Sequence, residues 1–363
     1  MFWGGLQKDT LRLAEELHAR GHQIDVFTTE WENPPDFINV ERVKVSGLSN
    51  ISRMRKFSDA WCERLGRGGF DVSVAMERVP DADFYFAADS CMKSYYESKY
   101  PKWLLRIHPR YKYILYKERR VFGADSHTTV WYISRFQKED FQREYGTPDE
   151  RLISLPPGMN PKCVRPESDV EVARIRREIR AELKIAEDDI VLVIVGSNIM
   201  RKGMDRLFKA VAELPDGWRN RIRLLLVGNL DGHEIGKIAE QEALSGQYLL
   251  TGARNDVEKL LLASDLMVHP AREEGAGSVL VEGIASGIPV ICTGCCGFSP
   301  IVDEAAGLVL PEPFSQDALN AMLLNALENL PSLASTTLEY ARKHDFTSRQ
   351  KVMADCIEAK MRV

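Results

Sequence analysis

Short apolar runs alternate with helical patterns along most of this chain, most clearly in its second half. No other feature constrains the fold as much, because strands that alternate with helices form βαβ units around a parallel sheet. Ile190 to Val195, Ile222 to Val227, Leu266 to Val268 and Pro289 to Cys292 read as buried strands. Helical patterns fall between them at Met204 to Leu214, Asp256 to Ala263 and Gly277 to Ser286. The first half opens with a helix from about Leu6 to Ala19, with Leu13 and Leu17 on one face, followed by a strand from Ile24 to Thr29. Leu155-Pro156-Pro157-Gly158-Met159-Asn160-Pro161 is dense in Pro and Gly and marks a boundary between two α/β halves.

The composition suits two such domains: 363 residues, 44% hydrophobic and 28% charged. The net charge of −5 argues against general nucleic-acid binding, which needs a basic surface. No run approaches the length of a spanning helix and no secretory leader is recognisable, so a cytoplasmic protein is expected. Seven scattered cysteines suit a reducing compartment.

The strongest local signal is Arg272-Glu273-Glu274-Gly275-Ala276-Gly277-Ser278-Val279-Leu280-Val281-Glu282. Its glycines put flexible backbone at a helix start, where free N–H groups and the positive dipole end suit a sugar hydroxyl or a diphosphate. Glu282, further along the helix, is placed to accept ribose hydroxyls. An acidic start to an amphipathic helix is the other reading. Gly196-Ser197-Asn198-Ile199-Met200-Arg201-Lys202-Gly203 follows a strand, where Arg201 and Lys202 suit a diphosphate or are a plain surface pair. It is not a Walker A loop, and no G-x-G-x-x-G occurs. Gly4-Gly5 opens the first helix, where two glycines either let backbone approach an anion or form an ordinary tight turn, the better reading of so short a signal.

Residues 92–122 carry nine basic side chains against Glu97 and Glu118, a net of +7. Lys93, Lys99, Lys102, Arg106, Arg110, Lys112, Lys117, Arg119 and Arg120 interleave with aromatics that include Trp103, Tyr113 and Tyr116. That mixture suits an anionic lipid surface, with RNA as the rival ligand and a solvated face as the plain alternative. Cys292-Thr293-Gly294-Cys295-Cys296 contains C-x-x-C but no second pair, so a loop of small residues is the better reading.

Taken in order, these stretches resemble the family 4 retaining glycosyltransferases of the GT-B fold, and within them the lipopolysaccharide core glucosyltransferases. Phe84-Tyr85-Phe86-Ala87-Ala88-Asp89, Gly252-Ala253-Arg254-Asn255-Asp256-Val257 and Pro311-Glu312-Pro313-Phe314-Ser315-Gln316 carry the resemblance further. It implies two Rossmann-like domains facing a cleft: residues 1–156 on the acceptor and membrane side, 157–346 binding the nucleotide sugar, and 347–363 a helix packing back on the first. It implies UDP-glucose as donor, with no cofactor and no metal. Arg201 and Lys202 would hold the diphosphate, Glu282 the ribose, and Glu274 with the Gly275, Ala276, Gly277, Ser278 and Val279 backbone the glucose and phosphates. Arg254 would lie by the uracil and Gly4, Gly5 and Asp9 at the donor from the other domain. Glu274, Lys202 and the acceptor-side Asp89 would be the catalytic set. The implied acceptor is an inner-core heptose of a lipid-linked oligosaccharide, with the protein peripheral on the cytoplasmic face of the inner membrane and bound to its anionic lipids. The family begins with a strand before the Gly-Gly turn, so a first domain without that strand, or a start codon placed too late, is expected here. A transferase with another donor or acceptor, or an inactive GT-B protein that only binds lipid, are the rival functions.

Overall fold

The computed structural model describes residues 5–47 and 49–362. Gly4 lies outside them. The chain divides into two compact units, one running to Pro156 and resumed from Ser348, the other Pro157–Thr347.

The first unit opens with α1 (Gly5–Ala19), β1 (Ile24–Thr28), β2 (Ile38–Arg42) and α2 (Asn50–Arg67). The short strands β3 (Val74–Ala75) and β4 (Phe84–Phe86) follow, then α3 (Met92–Lys99), α4 (Lys102–Ile107) and α5 (Pro109–Phe122). β5 (Thr129–Tyr132), α6 (Arg135–Tyr145) and β6 (Leu152–Ser154) complete this stretch. All its strand pairs are parallel, but they form two sheets, β1-β2 and β3-β4-β5-β6. The described residues begin at α1, so the expectation about a strand ahead of it falls outside them.

The second unit begins with α7 (Asp169–Glu182), β7 (Ile190–Val195), α8 (Ile199–Lys202), α9 (Met204–Ala212) and α10 (Asp216–Arg219). It continues through β8 (Ile222–Val227), α11 (Gly232–Gln241), β9 (Tyr248–Gly252), α12 (Val257–Ala263) and β10 (Leu266–His269). α13 (Ser278–Ala285), β11 (Val290–Thr293), α14 (Ser299–Glu304), β12 (Leu308–Leu310), α15 (Gln316–Glu328) and α16 (Leu330–Lys343) finish it. Ile190, Leu192 and Ile194 of β7 join Leu224 and Leu226 of β8 in one core with α9, α11 and α15. The intervening Val191, Val193 and Leu225 are buried as well, so both faces of the sheet are covered. α17 (Arg349–Met361) returns to the first unit and packs on α1.

The second unit's strand order is β12-β11-β10-β7-β8-β9. From β7 the chain winds outward through β8 and β9, then returns to β7's other edge at β10. Strand order therefore reverses between β7 and β10. In an open α/β sheet the carboxyl ends of the strands at such a reversal are where a ligand fits.

Candidate active site

The two loops at the reversal carry Arg201, Lys202 and Glu274. Asn198 caps α8 by accepting the Arg201 N–H at 2.9 Å, and Gly203 ends the helix with φ +72°. A Cβ on Gly203 would stand 2.0 Å from the Pro270 carbonyl oxygen, so only glycine lets the loop after β7 approach the loop after β10. The loops are stitched together elsewhere too. Arg272 donates to both Asp205 carboxylate oxygens at 2.7 Å, its N–H donates to Arg201 O at 2.9 Å, and Arg201 Nε donates to Glu273 O at 3.2 Å.

Lys202 Nζ is ion-paired to Glu274 Oε2, and His269 Nε2 lies 3.1 Å from the same oxygen. Burial works against ionisation of Glu274, but the hydrogen bond with His269 and the charge of Lys202 outweigh it and hold its pKa at about 2. His269 is fully buried, which lowers its pKa against the pull of Glu274. Its Nδ1 has no partner among the described residues. His269 drew no functional reading from the sequence. Its role became visible only when the turn from Pro270 to Glu273 brought Glu274 back over it.

α13 starts at Gly277, in the left-handed region with φ +87°, and no side chain caps it. The carbonyls of Glu274 and Ala276 accept the N–H groups of Gly297 and Phe298. Among the described residues, the N–H groups of Gly275, Ala276, Gly277, Ser278 and Val279 donate to no carbonyl. Unspent donors at a helix start beside Lys202 and Arg201 make an anion site. Glu282 lies on the second turn of α13, and its carboxylate accepts the Asn160 N–H at 3.3 Å. Arg254 stands apart, in the loop after β9, where Asp256 chelates it at 2.7 Å and Glu182 holds it at 2.8 Å. A polar cavity of about 440 Å³ opens between the loops after β7 and β8, lined by Ser197, Asn198, Asn229 and Asp231 but not by Lys202 or Glu274. The C-x-x-C segment is a loop, with Cys295 Sγ 3.3 Å from Ala271 O. No metal-holding cluster occurs among the described residues.

In the first unit, Gly5 opens α1 and Asp9 is one turn further. Arg349 Nη1 and Gln350 Nε2 of α17 reach Asp9 at 3.4 and 3.2 Å, and burial raises the Asp9 pKa despite Arg349. Arg349 is almost wholly buried, 5.5 Å from the Phe86 ring centroid, and its Nη2 has no partner among the described residues. One guanidinium thus joins Asp9 to the strand that leads into Asp89. Asp89 itself is exposed, and Arg78 steadies its loop through Ser90 O at 2.7 Å and the Asp89 carboxylate at 3.7 Å. Arg78 is in turn 3.3 Å from Glu118, a fully buried carboxylate that also accepts Met92 N–H, Lys93 N–H and the Tyr145 hydroxyl. The sequence counted Glu118 only as a charge and passed over Arg78 and Arg349.

The basic segment needs correction. Tyr113 and Lys117 are buried, so neither belongs to a docking surface; Lys117 lies by Glu77 and Arg78, and desolvation lowers its pKa. Lys93 is ion-paired with Glu144 and Arg120 with Asp81. Lys102, Arg106, Arg110, Lys112 and Arg119 remain exposed with no carboxylate partner among the described residues. Lys99 is stacked on Tyr95, 4.5 Å from its centroid. Trp103, Ile107 and Tyr116 are exposed at 67%, 66% and 56%, so this surface is apolar as well as cationic. No helix among the described residues is long and apolar enough to cross a membrane.

Residues 3–162 match the family described as Glycosyltransferase Family 4, and residues 175–344 the one described as Glycosyl transferases group 1. The lipopolysaccharide glucosyltransferase WaaG of Escherichia coli (strain K12) is 35% identical over 98% of this chain and 95% of its own. The chain belongs to the WaaG branch of the family 4 glycosyltransferases. A crystal structure of WaaG superposes with a TM-score of 0.88 at 34% identity, covering 98% of this chain and 97% of the other, so the fold is GT-B with two Rossmann-like domains. Anabaena Alr3699/HepE, solved in complex with UDP, shares the fold at a TM-score of 0.72 and 17% identity, over 98% of this chain and 96% of its own. In this family 4 glycosyltransferase, Lys202 is paired with Glu274 just ahead of the start of α13, at the reversal point of the second unit.

Proposed function

We propose that this glycosyltransferase moves glucose from UDP-glucose to an inner-core heptose of lipopolysaccharide, with retention, as a peripheral protein on the cytoplasmic face of the inner membrane. One observation carries the reading: Lys202, Glu274 and the unspent N–H groups at Gly275 to Val279 converge at the sheet's reversal point in a chain 35% identical to WaaG. The donor's diphosphate takes Lys202, Arg201 and those amides, which stabilise the negative charge that grows as UDP departs. The protein itself thus supplies the cations, and no metal is part of the reading. Glu274, held ionised by His269 and Lys202, accepts glucose hydroxyls, and Glu282 accepts the ribose. Asp9, Arg254 and the exposed Asp89 take the further donor and acceptor contacts. The departing UDP oxygen receives the acceptor hydroxyl proton on the same face, so no protein nucleophile is required. Exposed Trp103, Lys102, Arg106, Arg110, Lys112, Tyr116 and Arg119 hold the enzyme on anionic lipid, each basic group contributing up to about 1 kcal/mol.

The test is transfer from UDP-glucose to heptose-terminated core acceptor, with the product's anomeric configuration read by NMR and EDTA present. Lys202→Ala and Glu274→Ala, folded by circular dichroism, are each expected to lose about 100-fold or more in transfer. Full activity in both overturns the site. Calorimetric titration with UDP-glucose, UDP-galactose and GDP-mannose tests the donor separately.

A further inference from the structure

α2 has a charge pattern that the catalytic reading leaves unused. Its first turns carry Arg53, Arg55 and Lys56, all exposed, and no acid before Asp59. The partners of these cations are uncharged. Arg53 donates to the Asn50 side-chain oxygen, Lys56 Nζ is 3.5 Å from Ser46 Oγ, and the Arg55 guanidinium lies 5.5 Å from the Tyr113 ring centroid.

Tyr113 belongs to α5, which fixes where this charge sits. Arg55 and Ser58 of α2 both meet Tyr113, on the second turn of α5. The cationic start of α2 therefore lies beside the start of α5, next to the end of α4. That is where Arg106, Ile107, Arg110 and Lys112 are exposed. Two neighbouring helices present cations there that have no carboxylate partner among the described residues, in a chain whose net charge is −5. Like charges so placed repel one another, and an anionic surface spanning both helices relieves that repulsion.

We infer that the N-terminal turns of α2 form a second cationic arm of the docking surface, so that an anionic bilayer contacts α2 together with α4 and α5. The inference rests on the membrane reading above and extends it to residues outside the basic segment. The exposed aliphatic Ile107, with no face for a base to stack on, favours lipid over RNA as the occupant.

The experiment is co-sedimentation of the full chain with phosphatidylglycerol-containing vesicles, pure phosphatidylcholine vesicles as control, at two salt concentrations. Arg53→Ser/Arg55→Ser/Lys56→Ser is compared with Trp103→Ser/Lys112→Ser, and Arg53→Ser/Lys56→Ser spares the Tyr113 contact. UDP titration and circular dichroism check the fold of each. Wild type binding only the anionic vesicles, with the triple variant weaker by about tenfold and the double α2 variant by less, supports the inference. Triple-variant binding equal to wild type, with loss confined to Trp103→Ser/Lys112→Ser, overturns it and leaves the α4–α5 reading standing. No wild-type binding to anionic vesicles overturns both. Loss by the triple variant of single-stranded RNA binding, with vesicle binding unchanged, overturns it in favour of a nucleic-acid surface.

Discussion

The two units solve the same architectural problem with different materials. The second is held by one six-stranded sheet whose central strand, β7, is apolar at every position from Ile190 to Val195. The first divides its strands between sheets of two and four, with strands as short as Val74–Ala75. Buried and half-buried polar side chains make up the difference. Gln137 accepts the N–H groups of Ile133 and Ser134 and donates to Ala87 O and Asp89 O. Arg151 donates to the carbonyls of Val121, Gly123 and Thr128. Asp83 accepts from Ser73 through its N–H and hydroxyl, and Glu118 gathers five partners, the Cys91 thiol among them. Where backbone ladders are short, side chains take over the backbone polar groups that burial would otherwise leave unpaired.

That comparison breaks most directly at Glu118. Glu118→Ala leaves two N–H groups, the Tyr145 hydroxyl and the Arg78 guanidinium without their carboxylate, and should cost the first unit about 3 kcal/mol or more. Urea unfolding followed by tryptophan fluorescence measures it, with Trp131 reporting on this unit. A cost under about 1 kcal/mol would mean that apolar packing holds the first unit as it holds the second.

In the second unit the sensitive point is the ligand end rather than the sheet. Gly203→Ala combines a left-handed backbone with a contact at 2.0 Å to Pro270 O, and should cost about 2 kcal/mol. UDP affinity should fall with it, because the loops after β7 and β10 must separate. Unchanged thermal stability and UDP affinity would show that the two loops do not depend on this approach.

The smallest effect is a pH dependence. Burial lowers the His269 pKa, so below its ordinary value of 6.5 the unfolded chain takes up a proton that the folded chain refuses. Stability from this residue is present above 6.5 and falls as the pH drops below it. Glu274, held at about 2, acts in the same direction at lower pH, its contribution being lost from 4.5 downward. His269→Gln should flatten the urea midpoint between pH 7.5 and 5.5; an unaltered slope would remove His269 from the account.

How far each unit could be read in advance follows from the same contrast. β7 and β8 are where the apolar runs put them, because a strand buried on both faces writes its burial into consecutive residues. β3, β4 and β6 have two or three residues each, too few for any period to show, and β9 and β12 also escaped notice. The cations and glycines of the loops after β7 and β10 were legible for a related reason. Arg201, Lys202 and the stretch from Glu274 to Val279 each lie within one local segment, directly after a strand.

The chain's own order of residues therefore determined the class of fold, the family and the cation- and glycine-rich segments after β7 and before α13, all of which are local patterns. Tertiary structure alone decided the pairings between residues far apart in sequence. It set Lys202 and His269 on Glu274, joined Arg349 to Asp9, buried Lys117 and Tyr113, and brought the start of α2 beside α5. A charged residue looks the same in sequence whether it is solvated or buried. Only the packing around it decides whether it meets water, a partner or a ligand.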